Sequence, residues 1–462
     1  MKTEAKIKLP DTLVIMSGIL LVMTILTWVI DAGEFQREEV DGRTLVIPGT
    51  YTEVESSGQS IADLLISPIK GLIGAAQIIA FVLVVGGAFQ IIQKTDAIQA
   101  GLQRMVKYAT DNPSQKHLII PLLTILFSLA GATFGMSEET LVFILVTIPL
   151  AKSLGYDSLV GVAIPFLGAG AGFAGAFSNP FTIGIAQAIA EIAPFSGIGY
   201  RLIVWTLMTF TTTLFIMRYA MKISKKSEIS LIKNIQPEIL DQTDSLGFDT
   251  KKKWVLFILF SGIGCLIFGV TQLGWYINEI AALFLVMGLA SAIIERMSAN
   301  STADNFMQGA KEMLTAAMVI GFSRGVLVLA EDGKIIDTIL YSMSSVISEL
   351  PPFISVQSMF FFQTFLNFFI PSGSGQAALT MPIMAPLSDL LGISRQTAVL
   401  AFQLGDGLSN MIIPTSGVTM GVLSIAKIPY QTWLKWALPL VLILTIIGML
   451  ALLPPVLFFN WP

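Results

Sequence analysis

Runs of about twenty apolar residues recur along the chain between short polar stretches, and a helix needs about that many to cross a hydrocarbon layer of roughly 30 Å. Residues 13–30, 72–92, 200–221, 254–274, 277–294, 313–330 and 433–457 fit that length. The first run is too long for the apolar core of a signal peptide and residues 24–30 carry no small-residue cleavage pattern, so it is read as a retained helix. The blocks 118–151, 158–190, 353–391 and 397–425 are also apolar, but each is broken in its middle. The first break reads Gly131-Ala132-Thr133-Phe134-Gly135-Met136-Ser137-Glu138-Glu139-Thr140, and the third Pro371-Ser372-Gly373-Ser374-Gly375-Gln376. Neither suits a helix centre that faces lipid.

Short cytoplasmic loops carry the excess of lysine and arginine. Lys2, Lys6 and Lys8 therefore place the N-terminus inside, and the acidic stretch 31–60 falls outside. Two basic loops lie inside, one with Lys94, Arg104, Lys107 and Lys116, the other with Lys225, Lys226, Lys233, Lys251 and Lys252. The chain must cross an even number of times between them, yet three apolar blocks stand there, so 118–151 enters and leaves on one face as a re-entrant hairpin. Block 353–391 begins outside and is a second hairpin of opposite orientation. The pattern predicts an all-α polytopic membrane protein of nine full crossings, two re-entrant helical hairpins and two broken helices, with the C-terminus outside.

Sliding the chain against itself brings the two broken regions into register without a gap, at the offset that sets Ser137 onto Ser374. Pro149 then meets Pro386, Leu154-Gly155 meets Leu391-Gly392, Gly168 and Gly170 meet Gly405 and Gly407, and Thr182 and Gly184 meet Thr419 and Gly421. One copy starts inside and the other outside, which makes this an inverted repeat, the plan of many secondary transporters. Ala97, Ile98, Leu102, Met105, Val106 and Ala109 form an amphipathic helix shadowed by Ile335, Ile336, Ile339, Leu340, Met343, Val346 and Ile347. These helices either lie flat at the membrane surface as arms joining hairpin to scaffold, or pack on neighbours as ordinary helices. The expected division is scaffold and arm (1–117), transport repeat (118–222), cytoplasmic linker (223–253), second scaffold and arm (254–350) and second transport repeat (351–462).

The interrupted crossings read Gly175-Ala176-Phe177-Ser178-Asn179-Pro180-Phe181-Thr182 and Ile413-Pro414-Thr415-Ser416-Gly417-Val418-Thr419. Proline removes a donor and glycine loosens the helix, so backbone groups are freed at depth, where each unpaired one costs several kcal/mol. Ser178, Thr182, Thr415, Ser416 and Thr419 are suited to complete a polar shell there, and freed carbonyls would hold an ammonium group or Na⁺ near Asn179 and Thr415. The plainer reading is a set of proline kinks whose hydroxyls bond back to their own helices; four polar breaks paired by a repeat speak against it. The candidate binding residues are Ser137, Glu138, Glu139 and Thr140 at one tip, Ser372, Ser374 and Gln376 at the other, and Ser178, Asn179, Thr182, Asp406, Asn410, Thr415, Ser416 and Thr419 at the broken crossings. Three acids against Arg324 favour a site that receives positive charge. For Arg324 the plainer reading is a structural ion pair or a snorkelling side chain.

Composition agrees with a membrane class: 54% of the 462 residues are apolar and only 13% charged. A net charge of −4 without a basic stripe gives no nucleic-acid partner. Cys265 is the single cysteine, read as a packed core thiol, and His117 the single histidine, read as interfacial, so no cofactor or metal cluster is expected. A serine hydrolase would need a histidine facing its serine, and an aspartyl protease a partner for Asp406; neither is evident.

The run Ile370-Pro371-Ser372-Gly373-Ser374-Gly375-Gln376-Ala377-Ala378-Leu379-Thr380-Met381-Pro382, with Leu404-Gly405-Asp406-Gly407 and Pro414-Thr415-Ser416-Gly417, resembles the YfcC/ArcD-type carriers of the ion transporter superfamily. Relatives of that family include four-carbon dicarboxylate carriers, aminobenzoyl-glutamate transporters and sodium-coupled divalent-anion carriers. The resemblance implies homodimers, elevator movement, and a site between two hairpin tips and two unwound helices. Where divalent-anion carriers show Ser-Asn-Thr at their tips, this chain has Ser137-Glu138-Glu139 and Ser374-Gly375-Gln376. The expected function is exchange of basic amino acids, arginine or ornithine, across a bacterial plasma membrane; a Na⁺- or H⁺-coupled carrier of dicarboxylates or peptide-like anions is the alternative, and a channel fits less well because the hairpins occlude the midplane.

Overall fold

Helices make up most of the chain. A computed structural model describes residues 12–40, 43–98, 100–101, 104, 118–193, 196–226, 229–232, 247–275, 277–459 and 461. The first half contains α1 (Thr12–Val29), α2 (Ile61–Gly74), α3 (Ala76–Gln93), α4 (Ile119–Phe134), α5 (Thr140–Ser153), α6 (Ser158–Ala174), a π-helical turn (Pro180–Gly184), α7 (Ile185–Ile189) and α8 (Ile198–Lys225). The second contains α9 (Thr250–Leu273), α10 (Ile277–Glu295), α11 (Ala299–Glu312), α12 (Leu314–Asp332), α13 (Ile336–Ser348), α14 (Pro352–Asn367), α15 (Gly373–Leu390), α16 (Arg395–Ser409), α17 (Gly417–Ile425), α18 (Tyr430–Leu452) and α19 (Pro454–Leu457). Among the described residues five stretches are long and apolar enough to cross a membrane: α3, α8, α10, α12 and Tyr430–Leu457. Shorter apolar helices, α5 and α6 among them, fill the broken blocks.

The internal repeat is visible in the element boundaries. α5 and α15 end at Ser153 and Leu390, α6 and α16 begin at Ser158 and Arg395, and both pairs keep the offset that sets Ser137 onto Ser374. The shared Leu-Gly dipeptide explains the matching ends. Gly155 and Gly392 adopt φ of 81° and 67°, left-handed values that only glycine takes without strain, and each stops its helix. Asp157 and Ser394 then cap the next helices, accepting from the Val160 and Thr397 N–H groups at 3.1 and 3.3 Å.

The repeat also runs through the earlier helices, at an offset longer by a single position: α2 matches α11 (Ile61 to Ala299) and α3 matches α12 (Ala76 to Leu314). α2 crosses α12 as α3 crosses α11. Glycines make both crossings close. A side chain at Gly71 would strike the Gly321 carbonyl, and one at its counterpart Gly309 the Gly86 carbonyl. α4 and α5 both pack on α6, and α14 and α15 both pack on α16, so each helix–break–helix unit is braced by the helix that follows it.

Three points of the sequence reading need correction. The acidic stretch 31–60 is not helical: β1 (Gly33–Glu34) pairs with β4 (Thr52–Glu53) and β2 (Arg37–Val40) with β3 (Arg43–Val46), both antiparallel, so the fold is not all-α. The β-branched and aromatic residues there, Val40, Thr44, Val46, Tyr51 and Thr52, favour pairing over a helix. Helices α2 and α11 were hidden, the first by Pro68 and Lys70 inside it, the second by a polar sequence whose buried face is only Asn305 and Gly309. Cys265 is exposed on α9 and is not a packed core thiol, since an apolar residue on a helix can fall on its outward face. Of the amphipathic pair, α13 is a helix with Ile336, Ile339, Leu340 and Ile347 buried. Leu102, Met105, Val106, Ala109, Lys107, Lys116, His117 and Lys233, together with Lys2, Lys6 and Lys8, lie outside the described residues.

Candidate functional site

The break between α4 and α5 forms a tip closed by its own residues. Gly135 takes φ of 73° to end α4, the Ser137 N–H donates to Glu139 Oε2 at 3.0 Å, and the Thr140 hydroxyl donates to the Ser137 carbonyl. Glu139 is thereby used inside the tip and is 6% exposed. Glu138 beside it is half-buried, and its carboxylate has no side-chain partner among the described residues.

The break between α14 and α15 forms a second tip, where the Ser372 hydroxyl accepts from the Gly375 N–H at 3.3 Å and caps α15. Gln376 lies behind it and holds the two arms together, donating to the Gln363 carbonyl at 2.9 Å and to Gln363 Oε1 at 2.7 Å.

Each tip rests on a broken crossing. Asn179 caps the π-helical turn by accepting from the Phe181 N–H at 2.9 Å, while its Nδ2 is buried without a partner. It sits against the first tip, since a side chain on Gly135 would meet Asn179 Nδ2 and Oδ1 at 2.7 Å. Ser416 caps α17, accepting from the Thr419 N–H at 3.4 Å, and the Thr419 hydroxyl donates to the Asn410 carbonyl. Asp406 accepts from Asn410 Nδ2 at 3.0 Å through Oδ1 and leaves Oδ2 unpartnered. It lies directly behind the second tip: a side chain on Gly373 would meet Asp406 Oδ2 at 2.8 Å and Thr182 Cγ2 at 2.5 Å. Thr182 Oγ1 and Thr415 Oγ1 are likewise buried without partners. An unpaired buried polar group costs about 1–3 kcal/mol; of these four residues, Thr182 and Thr415 also line the cavity between the tips, while Asn179 and Asp406 lie behind it.

A cavity of about 600 Å³ opens between the tips. Ser137, Glu138 and Glu139 line it from one tip, Ser372 and Ser374 from the other, and Thr182, Asn410, Thr415 and Ser416 from the broken crossings. Ser178, Asn179, Gln376, Asp406 and Thr419 do not reach its wall, and Thr140 instead lines a small neighbouring void with Ser137, Asn410 and Ser416. Arg324 and Trp275 also line the cavity and are absent from the sequence-derived set. An arginine inside an apolar run was the available signal for the first; nothing in the sequence pointed to the second. A second cavity of about 410 Å³ shares Arg324, Leu327, Ser372, Gly375 and Ala378 with the first and is bordered by Gly33, Glu34, Arg37 and Val46 of the β segment.

A family described as C4-dicarboxylate anaerobic carrier (DcuC) matches residues 9–456 of this chain. The "Putative basic amino acid antiporter YfcC" of Escherichia coli strain K12 is 35% identical over 474 residues, covering 92% of each chain. An uncharacterised protein of Haemophilus influenzae is 32% identical over 430 residues, 92% of this chain and 84% of that one. Among solved structures, the YdaH transporter of Alcanivorax borkumensis aligns over 98% of this chain and 99% of its own at 16% identity and a TM-score of 0.45. MtrF of Neisseria gonorrhoeae, of a class of antimetabolite efflux pumps, aligns over 98% and 97% at 15% identity and a TM-score of 0.42. The matched family and the relatives named for an activity are transporters, not enzymes.

Proposed function

The chain belongs to the C4-dicarboxylate anaerobic carrier family, and from that premise we propose that this multi-pass membrane transporter exchanges basic amino acids, arginine against ornithine, across a bacterial plasma membrane. The carrying observation is the asymmetry of the two tips. Glu138 and Glu139 line the cavity, whereas their counterparts in the second copy of the repeat are Gly375 and Gln376. The cavity therefore has an acidic end. A carboxylate takes a guanidinium in a bidentate grip, while a dicarboxylate would need protons or sodium ions between the like charges. The name carried by the relative of 35% identity supports the same substrate class.

The movement proposed is of the elevator type, and the helix packing supports it. The two helix–break–helix units act as re-entrant hairpins carried with α6, α8, α16 and α18, while the glycine-packed α2, α3, α11 and α12 form the scaffold of a homodimer. α13 lies along the membrane surface as an arm between them. The second cavity under the β segment is the outer vestibule, and substrate passes from it into the central cavity beside the second tip.

A second reading has its own support. Asp406 Oδ2, Thr182 Oγ1 and Thr415 Oγ1 are unpartnered oxygens of the kind that hold Na⁺, and the family is described by four-carbon dicarboxylates. Counterflow into proteoliposomes separates the two. Arginine inside drives ornithine uptake under the first reading; under the second, succinate is the species taken up, arginine drives nothing, and uptake depends on Na⁺ or on the proton gradient.

A further inference from the structure

The reading above leaves one cavity-lining charge unused, the guanidinium of Arg324. It sits in α12, half-buried, and among the described residues no carboxylate pairs with it. Its Nε is buried without an acceptor. Glu331, two turns along the same helix, is within electrostatic range but makes no ion pair with it. A charge at such depth costs a few kcal/mol on insertion scales and persists where something answers it.

Packing does not require it. At the offset that sets Ala76 onto Leu314, its counterpart in the matching helix α3 is Gly86, and the α3–α11 crossing there closes on Met313 and Gly309 without any charge. Half the fold thus builds the same crossing from a glycine. In the other half the arginine lies against the end of α2, where a carbon built on Gly74 would stand in ordinary contact with Arg324 Nε, at 3.4 Å. Gly74 ends α2, and the carbonyl end of a helix favours a cation beside it.

Its place in the cavity is opposite in character to that of the acids. Arg324 borders both the central cavity and the vestibule, beside Ser372 and Gly375 of the second tip, whereas Glu138 and Glu139 border only the central cavity. We infer that Arg324 receives the carboxylate of the substrate, so that the site takes a molecule with a cation at one end and a carboxylate at the other, an α-amino acid and not a free amine. This rests on the basic-substrate reading for the cation end only; the carboxylate contact stands for a dicarboxylate as well.

The test compares arginine with agmatine, its decarboxylated analogue, on purified protein in detergent. Wild type is expected to bind arginine about 10- to 100-fold more tightly than agmatine, the span of one charge-assisted hydrogen-bond pair. Arg324→Gln brings arginine down to the level of agmatine and does not weaken agmatine, whose cationic amine the guanidinium repels. Should that variant fail to fold, Arg324→Lys keeps the charge but loses the fork, and weakens arginine several-fold with agmatine unaffected. Equal binding of arginine and agmatine by wild type, or equal loss of both in a folded variant, overturns the inference. If wild type binds neither but binds succinate, the basic-substrate reading fails. Arg324→Gln then still weakens succinate if the inference holds, and leaves it unchanged if it does not.

Discussion

The Ser137 N–H donates to Glu139 Oε2 at 3.0 Å, and that bond separates the roles of two adjacent carboxylates. Glu139 shapes the tip, while Glu138 lines the cavity with no side-chain partner among the described residues. Glu138→Gln is expected to weaken arginine binding by about two to three orders of magnitude, the range for breaking a buried ion pair of about 3–5 kcal/mol, with little change in melting temperature. Glu139→Gln is expected to lower the melting temperature and to spare affinity in the fraction that remains folded. Thermal unfolding and arginine binding on both variants check this, and the reverse pattern would assign the ligand to Glu139.

The second tip is fitted closely to what lies behind it. A methyl group on Gly373 would meet Thr182 Cγ2 at 2.5 Å and Asp406 Oδ2 at 2.8 Å, both nearer than carbon contacts tolerate. Gly373→Ala is therefore predicted to cost about 1–3 kcal/mol and to block counterflow by holding the tip off its seat. Gly264→Ala, where an added carbon meets nothing within 4 Å, is the control and leaves both readouts unchanged.

The β segment is pinned to the junction of α12 and α13 by Asp337, which takes the Arg37 guanidinium at 2.8 Å and the Phe35 N–H at 2.9 Å. Asp337→Ala leaves that N–H without its acceptor, at a cost of about 1–3 kcal/mol. Limited proteolysis is expected to cut the segment between residues 31 and 60 faster in the variant, with the helical part of the chain intact. Unchanged cleavage would mean that the strands are held by other contacts.

Orientation follows from the lysines and is testable on a Cys265→Ser background. A cysteine at Glu55 should react with a membrane-impermeant reagent in intact cells, and one at Lys226 only after permeabilisation. The opposite result inverts the topology and with it the assignment of the vestibule.

Much of this was legible in the sequence because the signals were local. Leu154-Gly155 and Leu391-Gly392 fall at the paired helix ends, and Pro180 and Pro414 fall at the breaks that follow α6 and α16. What stayed hidden depended on distant partners. The polar helix α11 is a helix because Gly309 lets it lie on Gly86, a contact no hydropathy pattern records. Gln376 carries the side chain of a binding residue but spends it on Gln363 in the preceding arm. Arg324 reads as an anomaly in an apolar run until the cavity shows what it borders.

The most direct test of the central claim is equilibrium binding of labelled arginine and labelled succinate to the same purified protein, with and without Na⁺ and across a range of pH. Arginine binding that ornithine displaces, that needs no Na⁺, and that Glu138→Gln weakens by about two to three orders of magnitude is the predicted result. Tight succinate binding that arginine does not compete for, with Glu138→Gln or Asp406→Asn removing only the ion dependence, would contradict it.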